Sequence, residues 1–312
     1  MNLRSERHLY SADYIRALAS LAVALFHLGG KVLPVLKWGW LGVELFFVLS
    51  GFIICRAMPK GYRLAMSGKF ILRRIVRIEP AYLISLLLLI ALNYVMIARY
   101  SPDPVQMLLH IGYLNVFFNR PFLSPVYWTL GVEFQYYLFI AFFFPLLSGF
   151  AGKWFILVLT LLPVFLPMPG NTLGGLFPFF GLGIYCYLYS SAKLPMVQFL
   201  LFTAACVACG IRHSGVVPAL AGLAGVLLLL LPLKSNRLVT FFSKISFSLY
   251  LTHDSVGSWL VIFLGTHFPR TIFFKGTIFL IGVAVSIAFA SLFFYCVERP
   301  FLNWSKRIKY ST

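Results

Sequence analysis

The stretch GWLGVELFFVLSGFIICRA (39–57) decides the fold of this chain. A helix needs about 20 apolar residues to cross the hydrocarbon core of a bilayer, and this stretch has nearly that length. It contains one acid, Glu44, near its start and one base, Arg56, near its end. Such a run is typical of a transmembrane helix rather than of a helix in a soluble core.

Similar apolar runs repeat along the whole chain of 312 residues. At roughly 20 residues per crossing, they predict about ten helices. The runs lie at 14–34, 39–57, 76–98, 128–148, 153–168, 172–190, 196–211, 214–233, 245–265 and 272–296. Neither the alternation of a β-barrel nor a long linker interrupts them. We therefore expect an all-α, polytopic helical bundle in the membrane, with a single domain over residues 1–312.

The composition excludes several classes of protein. Hydrophobic residues make up 61% of the chain and charged residues 11%, which excludes a water-soluble globular enzyme and a disordered chain. The five cysteines lie in apolar stretches and imply no disulfide framework. We interpret Cys206 and Cys209 as packing residues of one apolar helix rather than as a metal or redox pair. No metal is expected.

The formal net charge of +18 needs an explanation other than nucleic acid. A nucleic-acid-binding protein requires a solvated basic face, and little of this chain is solvated. Most of the cations fall on segments that are cytosolic if both termini are cytosolic, as the positive-inside rule requires. Arg4 and Arg7 precede the first run, which we interpret as a retained helix rather than a signal peptide. The remaining cations would meet anionic lipid or an anionic cofactor.

The first run carries a polar face. Ionisable groups inside a membrane are costly, so each is a functional candidate unless it is paired for structure. The step from Arg16 to His27 turns a helix about 20° past three full turns, so both side chains lie on one face, roughly 16 Å apart. Asp13 is expected to pair with Arg16 or with another cation. We interpret His27 as a candidate general base, because an imidazole titrates near neutral pH.

Other runs add ionisable groups at comparable depth. Glu44 and Glu133 lie at depths similar to that of His27, and His253 lies about two turns into the ninth run. A carboxylate that accepts the second N–H of His27 would fix its tautomer and raise its basicity. We therefore predict that His27, Glu44 and Glu133 converge. The alternative is that these groups pair between helices for structure alone.

A second candidate site is basic. Arg74 and Arg77, at i and i+3, face one way at the start of the third run, within the cation-rich segment 56–77. Guanidinium groups bind phosphate through paired hydrogen bonds, which suits a nucleotide or the tail of coenzyme A. Simple contact with lipid headgroups would explain the same pair equally well. No Walker loop or Rossmann glycine pattern is present, so ATP or NAD has no support in the sequence.

Several separated segments share the pattern of one family. ADYIRALASLAVALFH (12–27) places Arg16 and His27 at an arginine-x10-histidine spacing, and FILRRIVRIEPAYLI (70–84) contains an arginine-x-x-arginine pair. The other segments are GWLGVELFFVLSGFII (39–54), YWTLGVEFQYYLF (127–139), FPFFGLGIYCYL (177–188), SFSLYLTH (246–253) and VERPF (297–301). Together, in this order, they resemble the acyltransferase-3 family of bacterial membrane O-acyltransferases over nearly the whole chain.

The resemblance implies transfer of an acyl group, usually acetyl from cytosolic acetyl-CoA, to a hydroxyl of a cell-envelope glycan or glycolipid. The acceptor would be a polysaccharide or lipopolysaccharide, and the enzyme a multi-pass protein of the bacterial cytoplasmic (inner) membrane, in the form without an appended hydrolase-like domain. The candidate site residues are His27, Glu44 and Glu133 for catalysis, Arg16, Arg74 and Arg77 for the coenzyme, and Asp13, Ser50, Tyr250 and His253 as accessory residues. The family often has serine and a second glutamate where this chain has Gly131 and Phe134, which puts a second carboxylate there in doubt.

Two other functions remain open from the sequence. A transporter or flippase of an acyl donor or glycan intermediate would also use a polar path through the helices, although no internal repeat is evident. A membrane scaffold without catalysis would not need buried His27, Glu44 and Glu133. Direct transfer and an acyl-enzyme intermediate on Ser50, Ser246 or Tyr250 are both compatible with the residues, although such hydroxyls in membrane helices more often bond backbone carbonyls.

Overall fold

A computed structural model describes residues 9–97, 100–147 and 149–310. Arg4 and Arg7, which contribute to the predicted orientation, lie outside these residues. The described part of the chain is helical and contains no strand. Its α-helices are α1 Tyr10–His27, α2 Gly42–Arg56, α3 Ser67–Met96, α4 Pro104–His110, α5 Trp128–Leu147, α6 Gly152–Phe165, α7 Leu173–Ser190, α8 Met196–Ser214, α9 Val216–Leu230, α10 Arg237–Thr252, α11 Trp259–His267, α12 Ile272–Phe293 and α13 Arg299–Arg307.

Six segments among the described residues are long and apolar enough to cross a membrane. They are Leu36–Arg56, Leu64–Val95, Trp128–Leu147, Leu173–Ser190, Met196–Ser214 and Ile272–Arg307. The shorter apolar helices α6 and α9 both pack against α7 and α8. The prediction of an all-α membrane bundle is confirmed. The number of ten crossings and the cytosolic position of both termini stay predictions.

The first helix ends earlier than predicted. The apolar run continues to residue 34, but α1 ends at His27. Gly29 adopts a φ of +127°, a conformation that L side chains rarely adopt, and the short turn Gly30–Val32 follows. His27 is therefore the last residue of α1, so its side chain lies at the end of a helix instead of within one.

The tenth helix begins earlier than predicted because a polar side chain caps it. The apolar run starts at residue 245, whereas α10 starts at Arg237. Asn236 accepts hydrogen bonds from the amides of Leu238 and Val239, at 2.9 Å and 3.3 Å. These amides have no partner within the helix, so the cap stabilises a polar first turn that hydropathy alone does not detect.

Two glycines set a very close helix contact. Gly51 of α2 packs on Gly183 of α7. A Cβ atom on Gly183 would lie 2.1 Å from the Val48 carbonyl oxygen, and one on Gly51 would lie 2.3 Å from the Phe180 carbonyl oxygen. Small residues at such positions let membrane helices approach closely. The contact fixes the face of α2 that carries Gly51 against α7.

Two π-helical turns interrupt the last helices. The first, His253–Ser258, joins α10 to α11, and the second, Phe294–Glu298, joins α12 to α13. A π turn changes the direction of the side chains that follow relative to a regular α-helix, and such turns occur frequently at functional sites. An ionisable residue marks each turn, since His253 begins the first and Glu298 ends the second.

The connection between α3 and α5 is anchored at His110. The Nδ1 atom of His110 lies 2.6 Å from the Tyr82 hydroxyl, and its Nε2 atom accepts a hydrogen bond from the Leu123 amide at 3.2 Å. Because Nε2 is an acceptor, the proton of the neutral ring sits on Nδ1 and is donated to Tyr82. Burial lowers the pKa of His110 to about 4, so the ring is neutral at neutral pH.

Candidate active site

A cavity of about 300 Å³ lies between α1, α2, α3, α5 and α10, and the second π-helical turn and α13 complete its wall. Its walls combine basic, acidic and aromatic side chains, and the exposed Lys244 also borders it. Of the residues predicted from the sequence, it brings together Asp13, Arg16, Ser50, Arg74, Arg77, Glu133 and Tyr250. The three predicted coenzyme-binding arginines therefore share one cavity with one of the two predicted catalytic carboxylates.

The three arginines have no acidic partner among the described residues. No carboxylate in this part of the chain lies within 4.0 Å of the guanidinium groups of Arg16, Arg74 and Arg77. Arg74 instead lies over two aromatic rings, with its guanidinium carbon 5.2 Å from the Phe70 centroid and 5.4 Å from the Tyr137 centroid. Guanidinium donors that face a cavity without a carboxylate partner are available to an anionic ligand.

Asp13 connects α1 to α10. The hydroxyl of Ser243 donates a hydrogen bond to Asp13 Oδ1 at 2.7 Å. The sequence predicts that Asp13 pairs with Arg16 or with another cation, and of these two possibilities the pair with Arg16 is not formed at salt-bridge distance. The Ser243 bond fixes the start of α1 one turn before Arg16 and so determines where this arginine enters the cavity.

Glu133 is held in the cavity by two hydroxyl groups. Ser50 donates to Glu133 Oε1 at 3.0 Å, and Tyr137, one turn later in α5, donates to the same oxygen. The ring of Tyr137 in turn packs against the Arg74 guanidinium. These contacts connect α2 to α5 and place the Glu133 carboxylate near the arginines. No hydrogen bond in the described structure joins it to His27.

Glu44 lies on a face of α2 other than the one that lines the cavity. It is buried in the first turn, and its Oε2 atom has no hydrogen-bond partner among the described residues. Glu44 precedes Gly51 by about two helical turns, so both residues lie on the face that packs against α7. Glu44 is absent from the cavity walls and from the hydrogen bonds of His27 in the described structure. The predicted convergence fails here because similar depth does not fix direction around the helix.

The partner of His27 is a second histidine. His27 Nδ1 lies 3.0 Å from the Val23 carbonyl oxygen of its own helix and 3.4 Å from His253 Nε2. His253 Nδ1 lies 2.9 Å from the Leu249 carbonyl oxygen. Carbonyl oxygens accept only, so both Nδ1 atoms carry protons and His253 Nε2 is an acceptor. The Nε2 atom of His27 is therefore left with a free lone pair, as a general base requires.

Tyr250 lies between the cavity and the histidine pair. Neither His27 nor His253 is among the described residues that line the cavity. Tyr250 does line it, and its ring centroid lies 6.0 Å from that of His253. The Tyr250 hydroxyl lies 2.6 Å from Thr129 Oγ1, and Phe46 packs edge-on against the Tyr250 ring at 5.6 Å. A layer of three side chains thus separates the arginines from the candidate base.

A carboxylate also lies next to the histidine pair in the chain. Asp254, which follows His253, accepts a hydrogen bond from Ser124 at 2.6 Å. This bond ties the first π-helical turn to the segment that precedes α5. The position of His253 is therefore fixed from both sides, by the Leu249 carbonyl within α10 and by the Ser124 contact at the next residue.

Sequence reasoning missed several residues of the site, among them Glu298 and Thr129. Glu298 is buried, lines the cavity and accepts a hydrogen bond from Ser248 at 2.6 Å. The signal for Glu298 in the sequence is an acid just after a long apolar run, within the segment VERPF (297–301). Thr129 gave no signal, because a lone threonine in a membrane helix usually bonds its own backbone.

The described residues contain no group of three or more His, Cys, Asp or Glu side chains that could hold a metal ion. The cysteines Cys206 and Cys209 are buried thiols without a disulfide. The Cys206 thiol lies 3.8 Å from the Thr160 hydroxyl, within the packing of α6 and α8. The cavity and the histidine pair present imidazole, guanidinium, carboxylate and hydroxyl groups.

Comparison with protein families matches the acyltransferase-3 family, described as an acyltransferase domain, to residues 9–295. The matched range contains every residue of the cavity and of the histidine pair named above except Glu298 and the end of the cavity wall in α13.

Several curated relatives have names that describe acetyltransferases. "O-acetyltransferase OatA" of Staphylococcus aureus (strain NCTC 8325 / PS 47) is 29% identical over 161 residues, which cover 47% of this chain and 26% of that protein. "Putative acetyltransferase ORF330" of Acidianus two-tailed virus is 33% identical over 132 residues, or 40% of this chain and 38% of that protein. "Putative O-acetyltransferase SACOL0978" of Staphylococcus aureus (strain COL) is 28% identical over 148 residues, with shares of 43% and 24%. This chain thus aligns with well under half the length of each. No solved structure matches it.

Proposed function

Because this chain belongs to the acyltransferase-3 family, whose model spans residues 9–295, we propose that it is a multi-pass membrane O-acyltransferase. It transfers an acetyl group from acetyl-CoA to a hydroxyl of a cell-envelope glycan or glycolipid. The names of the relatives, which describe O-acetyltransferases, support acetyl as the transferred group. The proposed location is the cytoplasmic membrane of a bacterium, with both termini in the cytosol.

One observation carries this proposal. Arg16, Arg74 and Arg77 line one cavity without carboxylate partners in the described structure, and Tyr250 in the wall of that cavity contacts the partner of His27. An anion site and a general base are thus separated by a single layer of side chains. A reaction between an anionic cosubstrate and a hydroxyl needs this arrangement, and a scaffold does not.

The arginines would bind the phosphates of the coenzyme. Each guanidinium presents donors in a planar fork that matches two phosphate oxygens, and three of them suit a ligand with several phosphates. Arg16 and His27 are separated by roughly 16 Å along α1, at a rise of 1.5 Å per residue. An extended pantetheine arm is of this order of length, so a coenzyme bound at Arg16 could present its thioester near His27.

His27 would act as the general base. Its Nε2 atom takes the proton of the acceptor hydroxyl while the hydroxyl oxygen forms a bond to the thioester carbonyl carbon. When the tetrahedral intermediate collapses, the carbon–sulfur bond breaks, the electron pair stays on sulfur, and the leaving thiolate takes the proton back from His27. The products are an acetyl ester and coenzyme A thiol, and His27 is neutral again.

His253 has the orienting role that the sequence suggested for Glu44 or Glu133. Together with the Val23 carbonyl oxygen at 3.0 Å, it accepts from His27 Nδ1–H, at 3.4 Å, and so helps to hold the reactive Nε2 atom unprotonated. We assign Glu133 to the coenzyme site, where it orders Ser50 and Tyr137 beside Arg74. Glu44 has no contact with either group in the described structure, and no step is assigned to it.

The experiment that tests this function uses purified protein in lipid nanodiscs, acetyl-CoA labelled in the acetyl group, and envelope glycan from cells that lack this chain. Label incorporation is measured together with the mass increment of one acetyl group on the glycan. The variant His27→Ala is expected to lose about 10²- to 10⁴-fold in rate, the contribution of a general base. His267→Ala, at an exposed position near the end of α11, is the matched control and is expected to keep the wild-type rate.

Two results would contradict the proposal. A wild-type rate in His27→Ala would remove the base from the mechanism. Acetyl-CoA or glycan that crosses the membrane of a proteoliposome without ester formation would instead indicate a transporter. The first outcome is read from the labelled ester, and the second from label that accumulates inside the proteoliposome without ester.

A further inference from the structure

Tyr250 connects the arginine cavity to the histidine pair. It lines the cavity, is only 6% exposed, and lies with its ring centroid 6.0 Å from that of His253. The rings of His253 and His27 are in turn 5.2 Å apart. The Tyr250 side chain thus lies between the cavity that it lines and the ring of His253, which contacts His27.

The Tyr250 hydroxyl is occupied in this structure. The Tyr250 hydroxyl lies 2.6 Å from Thr129 Oγ1, and either oxygen can be the donor of this hydrogen bond. Thr129 Oγ1 also lies within donating distance of the Val126 carbonyl oxygen, at 2.9 Å. The same carbonyl oxygen also lies 3.2 Å from the Tyr250 hydroxyl. With Phe46 packed on the ring, these contacts close the layer formed by Tyr250, Thr129 and Phe46, which we call the Tyr250 layer.

We propose that Tyr250 is a catalytic residue of the acyl transfer and supplies the hydrogen bond that stabilises the oxyanion. This inference rests on the proposed function. When the thioester arrives, the Tyr250 hydroxyl leaves Thr129 and donates to the thioester carbonyl oxygen. Movement of one buried tyrosine thus opens the layer and positions the donor at the same time.

The chemistry suits a neutral phenol. The carbonyl oxygen gains a negative charge as the acceptor oxygen adds to the carbonyl carbon, and a preorganised donor in a dry site stabilises that charge most effectively. Tyr250 keeps its proton throughout, since it donates a hydrogen bond and transfers no atom. The proton that moves is the one from the acceptor hydroxyl, which passes to His27 Nε2 and then to the departing sulfur.

The closed layer also explains how water is kept from the thioester. With the Tyr250 hydroxyl on Thr129, the base and the cavity lie on opposite sides of the Tyr250 layer. A coenzyme bound to the arginines then has no access to His27, so hydrolysis of the thioester is slow. Exclusion of water until the site is assembled is a common function of closing elements in enzymes.

The test compares two variants that remove the same hydrogen bond. Tyr250→Phe deletes the hydroxyl and keeps the ring, whereas Thr129→Val deletes the partner and keeps the Tyr250 hydroxyl. Each protein is studied in nanodiscs for the affinity for acetyl-CoA, for kcat of acetyl transfer to envelope glycan, and for release of coenzyme A thiol without glycan. The affinity for acetyl-CoA reports whether the variant is folded.

We expect Tyr250→Phe to bind acetyl-CoA within about threefold of wild type and to lose about 100-fold or more in kcat, the loss typical of one oxyanion donor. We expect Thr129→Val to lose less than about 10-fold in kcat and to release coenzyme A thiol severalfold faster without glycan, because its Tyr250 layer opens more readily. The contrast between the two variants is the signature of a donor.

Equal losses of kcat in both variants would overturn the inference, since they would show that the Thr129 bond matters for structure alone. A Tyr250→Phe variant within threefold of the wild-type kcat would overturn it as well. His27→Ala, measured in parallel, separates this failure from failure of the proposed function. If His27→Ala is inactive while Tyr250→Phe is active, only the role of Tyr250 is refuted.

Discussion

His253 Nε2 lies 3.4 Å from His27 Nδ1, and this contact leaves His27 Nε2 as the free nitrogen of the pair. Each ring also directs its Nδ1 proton to a carbonyl oxygen four residues earlier in its own helix, Val23 for His27 and Leu249 for His253. Two adjacent imidazoles resist double protonation, because like charges at this distance repel. The pair is therefore arranged to accept a single proton, at the nitrogen that the acceptor hydroxyl would meet.

Replacing His253 tests whether it positions His27. His253→Leu removes one of the two acceptors of His27 Nδ1–H and leaves the Val23 carbonyl oxygen, so the ring keeps its tautomer but loses a contact that positions it. We expect kcat to fall about 10- to 100-fold, as when a catalytic group shifts by about 1 Å. His253→Gln offers a side-chain oxygen at a similar place and is expected to recover most of that loss. Both variants should keep the wild-type KM for acetyl-CoA. Equal losses in the leucine and glutamine variants would contradict a role through hydrogen bonding.

The position of the arginines in one cavity could be predicted from the sequence, whereas their role stays a prediction. Arg74 and Arg77 lie at i and i+3 within one helix, so their common direction follows from helix geometry alone. Arg16 joins them in the cavity, as the resemblance implied. The apolar runs likewise predict helices, because crossing a bilayer requires long segments whose backbone is fully hydrogen-bonded.

The sequence predicts the surroundings of His27 poorly, because contacts between helices depend on rotation as well as depth. Glu44 has the right depth but shares a face with Gly51, which packs on α7. His253 begins a π-helical turn that no hydropathy pattern announces. The Tyr250 layer is equally invisible, since it depends on how Thr129, Phe46 and Tyr250 meet from three different helices.

A variant of Arg77 tests the proposal that the arginines bind the phosphates of the coenzyme. A hydrogen bond to a charged group contributes about 1.5–3 kcal/mol, so Arg77→Ala should weaken binding of acetyl-CoA about 10- to 100-fold. The effect should shrink at high salt, because the interaction is between charges. Acetyl-pantetheine, which lacks the nucleotide phosphates, should bind both proteins equally.

The matched control for this site is Arg73→Ala. Arg73 lies on the same helix, but its guanidinium packs over Tyr310, and it is not among the described residues that line the cavity. We expect the affinity of Arg73→Ala for acetyl-CoA to stay within about twofold of wild type. Isothermal titration of both variants, each at a low and a high salt concentration, measures these affinities. If Arg73→Ala weakened binding as much as Arg77→Ala, a general surface charge would explain the result better than a phosphate site.

The lowered pKa of His110 makes the stability of the folded protein depend on pH. Burial lowers the pKa of His110 to about 4, whereas an unfolded histidine titrates near pH 6.5. A lowered folded pKa means that the unfolded state binds the proton more tightly, so stability is fully present above about pH 6.5 and is lost as the pH falls toward 4. Protonation would also place an N–H on Nε2 against the Leu123 amide.

Thermal unfolding of the purified protein between pH 7.5 and pH 5 measures this effect. We expect the wild-type Tm to fall by a few degrees over this range. In His110→Gln, which cannot titrate, the Tm should start lower, because the Tyr82 contact is weakened, but should change less with pH. Parallel curves for the two proteins would assign the pH dependence to other groups.

The contact at Gly183 allows a test of how closely α2 and α7 pack beside the site. A Cβ atom at this position would lie 2.1 Å from the Val48 carbonyl oxygen and 2.7 Å from the Phe52 amide nitrogen, and backbone atoms cannot move aside as a flexible side chain does. Gly183→Ala should therefore push α2 away from α7 and destabilise the protein by about 1–3 kcal/mol or more.

Gly276→Ala in α12 is the control, since its Cβ would meet nothing within 4 Å and alanine favours the helix. Because α2 also carries Ser50 and Phe46, the Gly183→Ala variant should lose affinity for acetyl-CoA along with its Tm, whereas Gly276→Ala should keep both. A Gly183→Ala variant with the wild-type Tm would show that the two helices are not in contact at this glycine.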